Sequence, residues 1–217
     1  MFCSSTSQLF ICGDILASRP VKFFKNPEDV KLPPIPQSLI EEANALYVSL
    51  NEPGRELGAQ LQRVYAYLDR FKPYVSEFVS CSKGCSHCCS IDVQLTTLEA
   101  EYIQVHTGVP ARTDGRLSTG HRKACPFLTE AGACGIYEHR PLVCRMFHAL
   151  GDPENCRPGR SQIQYGAPPK YGNNIFANLI GWVHHVNAHG NGTCKDIRDF
   201  FPHPRAQVQS FLSQRPV

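Results

Sequence analysis

Two amphipathic stripes dominate the first third of the chain. Leu39, Ala43, Leu46 and Leu50 recur at helical intervals, and after a break at Pro53 and Gly54 a second stripe runs through Leu57, Leu61, Val64, Tyr65, Leu68 and Phe71. Ser38 followed three residues later by Glu41 has the spacing of a capping box and predicts the start of the first helix. Pro73 predicts a kink or an end in the second, because proline lacks the N–H that an interior turn needs. Both stripes read as core faces. Further on, Val93 and Leu95 alternate with polar neighbours, which predicts a short extended piece. Thr96 with Glu99 is a second capping box, opening a helix through about His106 that Gly108 and Pro110 close. A third stripe, Ile175, Leu179, Trp182, Val183 and Val186, predicts a long helix over 173–189 ended by Gly190 and Gly192, with a short helix after Pro204.

Between these stripes the pattern is irregular. Pro33, Pro34 and Pro36 favour extended backbone, so residues 1–37 read as an arm leading into the folded part. Residues 111–124 are polar and basic and read as a mobile loop. Residues 125–169 are punctuated by prolines and glycines, as expected of loops organised around something other than regular hydrogen bonding.

Composition changes this picture at one point. The chain has 217 residues, 42% hydrophobic and 19% charged, an ordinary globular balance with enough length to bury a core. A formal net charge of +3 is too small to argue for nucleic acid or a membrane surface, and no run of 18 apolar residues exists to span a bilayer. The unusual number is 11 cysteines. The first residues lack an early positive charge, and Asp14 interrupts their apolar stretch, which argues against export. A cytoplasmic, reducing setting is therefore expected, where clustered cysteines are metal ligands rather than disulfides.

Eight of the cysteines form two blocks. In the first, Cys85 and Cys88 have the two-residue gap of a metal knuckle, with Gly84 before them to permit the tight backbone. Cys81 lies one helical turn earlier and can add a third sulfur. Cys89 is the odd member, since adjacent side chains point apart and Cys88 and Cys89 cannot easily chelate one tetrahedral ion. The second block is Cys125, Cys134, Cys144 and Cys156, set among Pro126, Gly132, Gly135 and Pro141. Eight ligands fill two four-coordinate sites, or one larger cluster plus a site, so at least two metal atoms are expected. Zinc and iron both suit thiolates, an iron–sulfur cluster included. Two four-thiolate zinc sites carry a formal charge of about −4, which needs cationic partners. Lys83, Arg122, Lys123, Arg140, Arg145, Arg157 and Arg160 are candidates, with Arg140 and Arg145 favoured because they flank Cys144.

The stretch from Cys81 to about Pro169 resembles the YkgJ-type cysteine-cluster family, a zinc- or iron-chelating CxxCxxCC domain. The matching elements are Cys85-Ser-His-Cys88-Cys89, Leu95-Thr96 leading to Glu99, Cys125-Pro-Phe-Leu128, Cys134-Gly-Ile-Tyr-Glu138 and Arg140-Pro141. Cys144-Arg145 with Phe147, Cys156, Tyr165-Gly166 and Pro168-Pro169 complete them. One departure stands out: three residues separate Cys81 from Cys85, where the family pattern has two. The resemblance implies a mainly α, loop-rich cytoplasmic protein holding zinc or iron. Joined to the stripes, it divides the chain into an arm (1–37), a helical segment (38–80), a CxxCxxCC-type metal-binding domain (81–169) and a C-terminal helical extension (170–217).

Two other functions compete. Cys81-x3-Cys85-x2-Cys88 also has the spacing of the radical S-adenosylmethionine motif, which implies an iron–sulfur enzyme, although such a barrel needs repeated strand–helix units downstream. A zinc-scaffolded protein or RNA interaction module is the third reading, with Tyr137, Phe147 and Tyr165 among basic residues. Among the remaining candidates, His148 lies near Cys144 as a ninth ligand or a ligand's support. His185 and His189, four apart beside His184, share a helix face, which Cys194 could extend. Cys3 and Cys12 lie in the arm, apart from the cluster.

Overall fold

A computed structural model describes residues 23–26, 29–82, 84–114, 123–166, 174–203 and 205–214. Cys3, Cys12, Lys83, Arg122, Pro168, Pro169 and most of the expected 111–124 loop lie outside the described residues. The architecture is mainly α. Helices α1 (Gln37–Leu50) and α2 (Leu57–Ser76) are followed by the cysteine loops, a short strand β1 (Gln94–Thr96) and helix α3 (Thr97–Thr107). Then come the short α4 (Leu142–Met146), the long α5 (Asn174–His189), strand β2 (Cys194–Asp196), α6 (Ile197–Phe200) and α7 (Arg205–Ser213). Among the described residues the one sheet is the antiparallel pair β1–β2, with Leu95 opposite Lys195. The strand–helix repeats of a radical S-adenosylmethionine barrel are therefore absent from the described residues.

The expected stripes become the core. Leu61, Val64, Tyr65, Leu68 and Phe71 of α2 are buried, while Leu57, at the open end of the helix, stays exposed. They pack with Ala43, Leu46 and Leu50 of α1 and with Phe176, Leu179, Trp182 and Val183 of α5. The Phe71 ring lies 5.3 Å from that of Phe176 and 5.4 Å from that of Tyr74. The carbonyl of Leu50, left unpaired by the end of α1, accepts from the Trp182 indole (3.3 Å) and from Gln60 Nε2 (3.2 Å). A second cluster gathers Val93, Leu95, Ile103, Phe127, Ile136, Ile197, Phe200 and Val208, and the cysteine loops lie against it.

Three expectations change. The first helix begins at Gln37, and Pro36 occupies its cap with no side-chain bond, so Ser38 and Glu41 form no capping box. Pro36, with ψ at 134°, sets the entry to the helix through its own fixed backbone, which leaves Ser38 inside the first turn. Pro73 does not end α2, which runs on to Ser76 because Tyr74 and Val75 bury themselves in the aromatic core and offset the missing hydrogen bond. The described part of the arm is not a free linker. Phe24 N–H donates to the Leu150 carbonyl (2.9 Å), Tyr74 OH donates to the Pro33 carbonyl (2.7 Å), and Val30, Leu32 and Ile35 pack on the core. The Thr96–Glu99 capping box forms as expected, and Gly108 closes α3 in a left-handed conformation (φ 67°).

Candidate metal centre

The first cysteine block is a pair of single turns rather than a helix. Gly84, at φ 91°, turns the chain so that Cys85 N–H bonds the Ser82 carbonyl (3.1 Å). A 3₁₀ turn over His87–Ser90 carries Cys88 and Cys89, and the Cys89 N–H bonds the Ser86 carbonyl (2.9 Å). The second block is tied to the first by the backbone: Cys125 N–H donates to the Cys89 carbonyl (2.7 Å). Leu128 then pairs with Cys134 across a tight antiparallel bridge, bringing Cys134 back beside Cys125. Cys144 sits on α4, and Cys156 ends a 3₁₀ turn over Pro153–Cys156.

All eight of these thiols are free. Burial pushes Cys144 well above the usual thiol range, and Cys125, Cys88 and Cys134 push it further. Burial likewise drives Cys125 up to about 12, with Cys134 adding to the shift. Cys156 is raised to about 11, mainly by burial, with Cys81, Cys88 and Cys85 as its electrostatic neighbours. Cys81 is raised by burial and then by Cys88 and Cys85. The Cys81 residue is exposed, yet its sulfur turns inward to accept the Ala149 N–H (3.3 Å), which is why its thiol behaves as buried. Cys88 is raised first by a hydrogen bond with the Cys89 thiol and then by burial.

Two groups emerge from these neighbourhoods. Cys89, Cys125, Cys134 and Cys144 pack together on the second apolar cluster. Cys85 and Cys88 both act on Cys81 and Cys156, while Cys88 also acts on Cys134 and Cys144 and bonds the Cys89 thiol. Among the described residues, no three His, Cys, Asp or Glu side chains have closed on one point at coordination distance.

The donor set fits a thiophilic ion. Besides the Ala149 N–H at Cys81, backbone N–H groups point at two further sulfurs, that of Phe127 at Cys125 and that of Ile136 at Cys134, and each opposes the rise that burial causes. Such a bond two residues onward favours the thiolate over the thiol, which is the form a metal takes. Arg140, stacked over the Tyr137 ring at 4.1 Å, favours the ionised form of Cys81, Cys88, Cys134 and Cys144. Arg145, the other favoured cation, is engaged elsewhere. Its guanidinium pairs with Asp69 (2.7 Å), bonds the carbonyls of Arg140 and Glu138 and stacks on Tyr65, so its effect on Cys134 is secondary. Arg157 pairs with Glu154, which also meets His87 at 3.2 Å and so links the two cysteine blocks on their exposed side.

The histidine candidates separate. His148 is buried among Tyr165 and Phe176, and burial, then Arg140 and Lys72, push its pKa down to about 4, so it stays neutral. His185 and His189 share a face, their rings 4.4 Å apart, whereas Cys194 meets His184 (3.5 Å) instead of that pair.

Residue-by-residue reading missed Glu99 and Arg198 as parts of this centre. The Glu99 carboxylate caps α3 through Thr96 and with its other oxygen accepts from Leu142 N–H (2.8 Å) and Tyr65 OH (3.2 Å). It therefore holds the first turn of α4, the helix that carries Cys144. Arg198 reaches the Cys89 carbonyl from α6 (3.1 Å). The available signal was β1 itself: a lone strand needs a partner, and the partner has to bring its flanking residues with it.

Comparison with curated proteins and with solved structures finds no match to this chain. Residues 80–169, a stretch that includes all eight clustered cysteines, match the model of the CxxCxxCC family, described as "Putative zinc- or iron-chelating domain".

Proposed function

We propose that this chain chelates zinc or iron in two neighbouring four-cysteine sites, Cys81, Cys85, Cys88 and Cys156 in one and Cys89, Cys125, Cys134 and Cys144 in the other. The observation that carries this reading is the convergence of cysteines from separate loops: the Cys125 N–H bonds the Cys89 carbonyl and Cys134 is bridged back to Leu128 in one set, while Glu154 of the Cys156 turn meets His87 of the Cys88 turn in the other. Adjacent Cys88 and Cys89 then serve different ions, and Cys88, close to both sets, makes the ions neighbours. Arg140 offsets part of the excess negative charge. A bound ion supplies the attraction that holds the loops closed, and ligation displaces thiol protons, so affinity rises with pH from neutrality into the alkaline range.

The test is metal and sulfide analysis of anaerobically purified full-length chain, with an absorption spectrum. Two metals per chain are expected, falling to one in Cys156→Ser and to one in Cys125→Ser. Zinc with a blank visible spectrum supports two mononuclear sites. Iron with acid-labile sulfide would replace them with a cluster. Less than one metal per chain, with the cysteines in disulfides, would sink the proposal.

A further inference from the structure

The C-terminal segment outside the matched family region reaches into the cysteine loops through one buried ion pair. Asp196 is fully buried and Arg198 nearly so. Arg198 Nη1 bonds both Asp196 carboxylate oxygens (2.9 and 3.2 Å). Its Nη2 donates to the carbonyls of Cys89 and Ile91 (both 3.1 Å), and its Nε donates to the Lys123 carbonyl (2.7 Å). Asp196 in turn accepts the Val93 N–H (2.7 Å). One guanidinium thus spans the chain on either side of the gap between the two cysteine blocks.

The Cys89 carbonyl is the shared point. It accepts from Arg198 and from the Cys125 N–H, so its position sets the approach of Cys125 to Cys89. The planar five-donor fork of arginine suits three carbonyls held at fixed angles, which a lysine ammonium cannot bridge.

We propose that Arg198, held by Asp196, is a positioning residue of the Cys89–Cys125–Cys134–Cys144 site, so that the C-terminal β2–α6 segment completes a metal centre lying otherwise within residues 80–169. This rests on the metal reading above. Arg198 does not touch the ion. It fixes the backbone between two ligands.

The experiment compares the zinc-loaded full-length wild type with Arg198→Lys and Asp196→Asn. Zinc is titrated out with a chromophoric chelator, and cysteine alkylation is mapped by mass spectrometry. In both variants one of the two zinc ions should bind about 10- to 100-fold more weakly. Alkylation should appear at Cys89 and Cys125 while Cys81 and Cys156 remain protected. Unchanged affinity overturns the inference, as does alkylation spread equally over both sets. Loss of helical circular dichroism in both variants overturns it too, because the pair would then hold the fold rather than the site. A wild type that retains no zinc refutes the metal reading and this role with it, whereas a loaded wild type matched by Arg198→Lys refutes only the positioning role.

Discussion

Helix α2 and the cysteine segment that follows it differ in where their backbone hydrogen bonds go. Across Leu57–Ser76 the bonds run within the helix, and a buried face of Leu61, Val64, Tyr65, Leu68 and Phe71 holds it against α1 and α5. Across 81–90 the local bonds close single turns, and the loop is fixed from outside, by Cys125 N–H and Arg198 on the Cys89 carbonyl and by Ala149 N–H on the Cys81 sulfur. A segment of the first kind keeps its shape through apolar burial. A segment of the second kind depends on whatever closes the loops, and eight neighbouring thiols do not attract one another without an ion.

Metal removal should break this contrast most severely. In small zinc domains a structural ion contributes on the order of 10 kcal/mol, and here the loss should fall on one region. Hydrogen exchange after anaerobic chelation should show 81–90 and 125–156 unprotected while 61–75 and 176–183 stay protected. Uniform loss of protection would show the two regions to be one cooperative unit.

A change in the aromatic core should act in the reverse sense. Phe71→Ala removes a fully buried ring packed on Tyr74, Tyr165 and Phe176, at a cost of about 3–5 kcal/mol. Urea unfolding of the metal-loaded protein should register that loss, while metal per folded chain stays at the wild-type value.

Glu99→Gln probes the seam between the regions. Both carboxylate oxygens accept hydrogen bonds from buried donors, and an amide turns one acceptor into a donor facing Thr96 or Leu142. About 2–3 kcal/mol of stability should be lost. Cys144 should also become reactive to alkylation ahead of Cys156, since α4 loses the bond at its first turn. Equal reactivity of the two would remove Glu99 from the account of the site.

Much of the helical frame was legible before folding because its signals are local. Thr96 and Glu99 are three residues apart, and their capping box is a property of one turn. The stripe Leu61 to Phe71 is likewise a property of one helix. The false capping box at Ser38 fails for the same reason that the true one succeeds: cap geometry belongs to the residue outside the helix, and Pro36 had already taken that place. Cysteine spacing identified a thiolate chemistry but could not divide it, because neighbours along the chain need not be neighbours in space. Cys89 adjoins Cys88 along the chain, yet its carbonyl takes the N–H of distant Cys125.

By itself, then, the sequence determined the helical stripes, the α3 cap and the density of soft metal donors, each readable within a turn or a short motif. Only the tertiary structure decided that the Cys156 turn meets the Cys88 turn through Glu154 and His87, that Glu99 reaches across to α4, and that β2 brings Arg198 under the Cys89 carbonyl. These contacts join residues 43 to 109 positions apart. Closing such separations costs chain entropy that no local pattern records, and it is recovered only when the two apolar clusters and the buried Asp196–Arg198 pair form together.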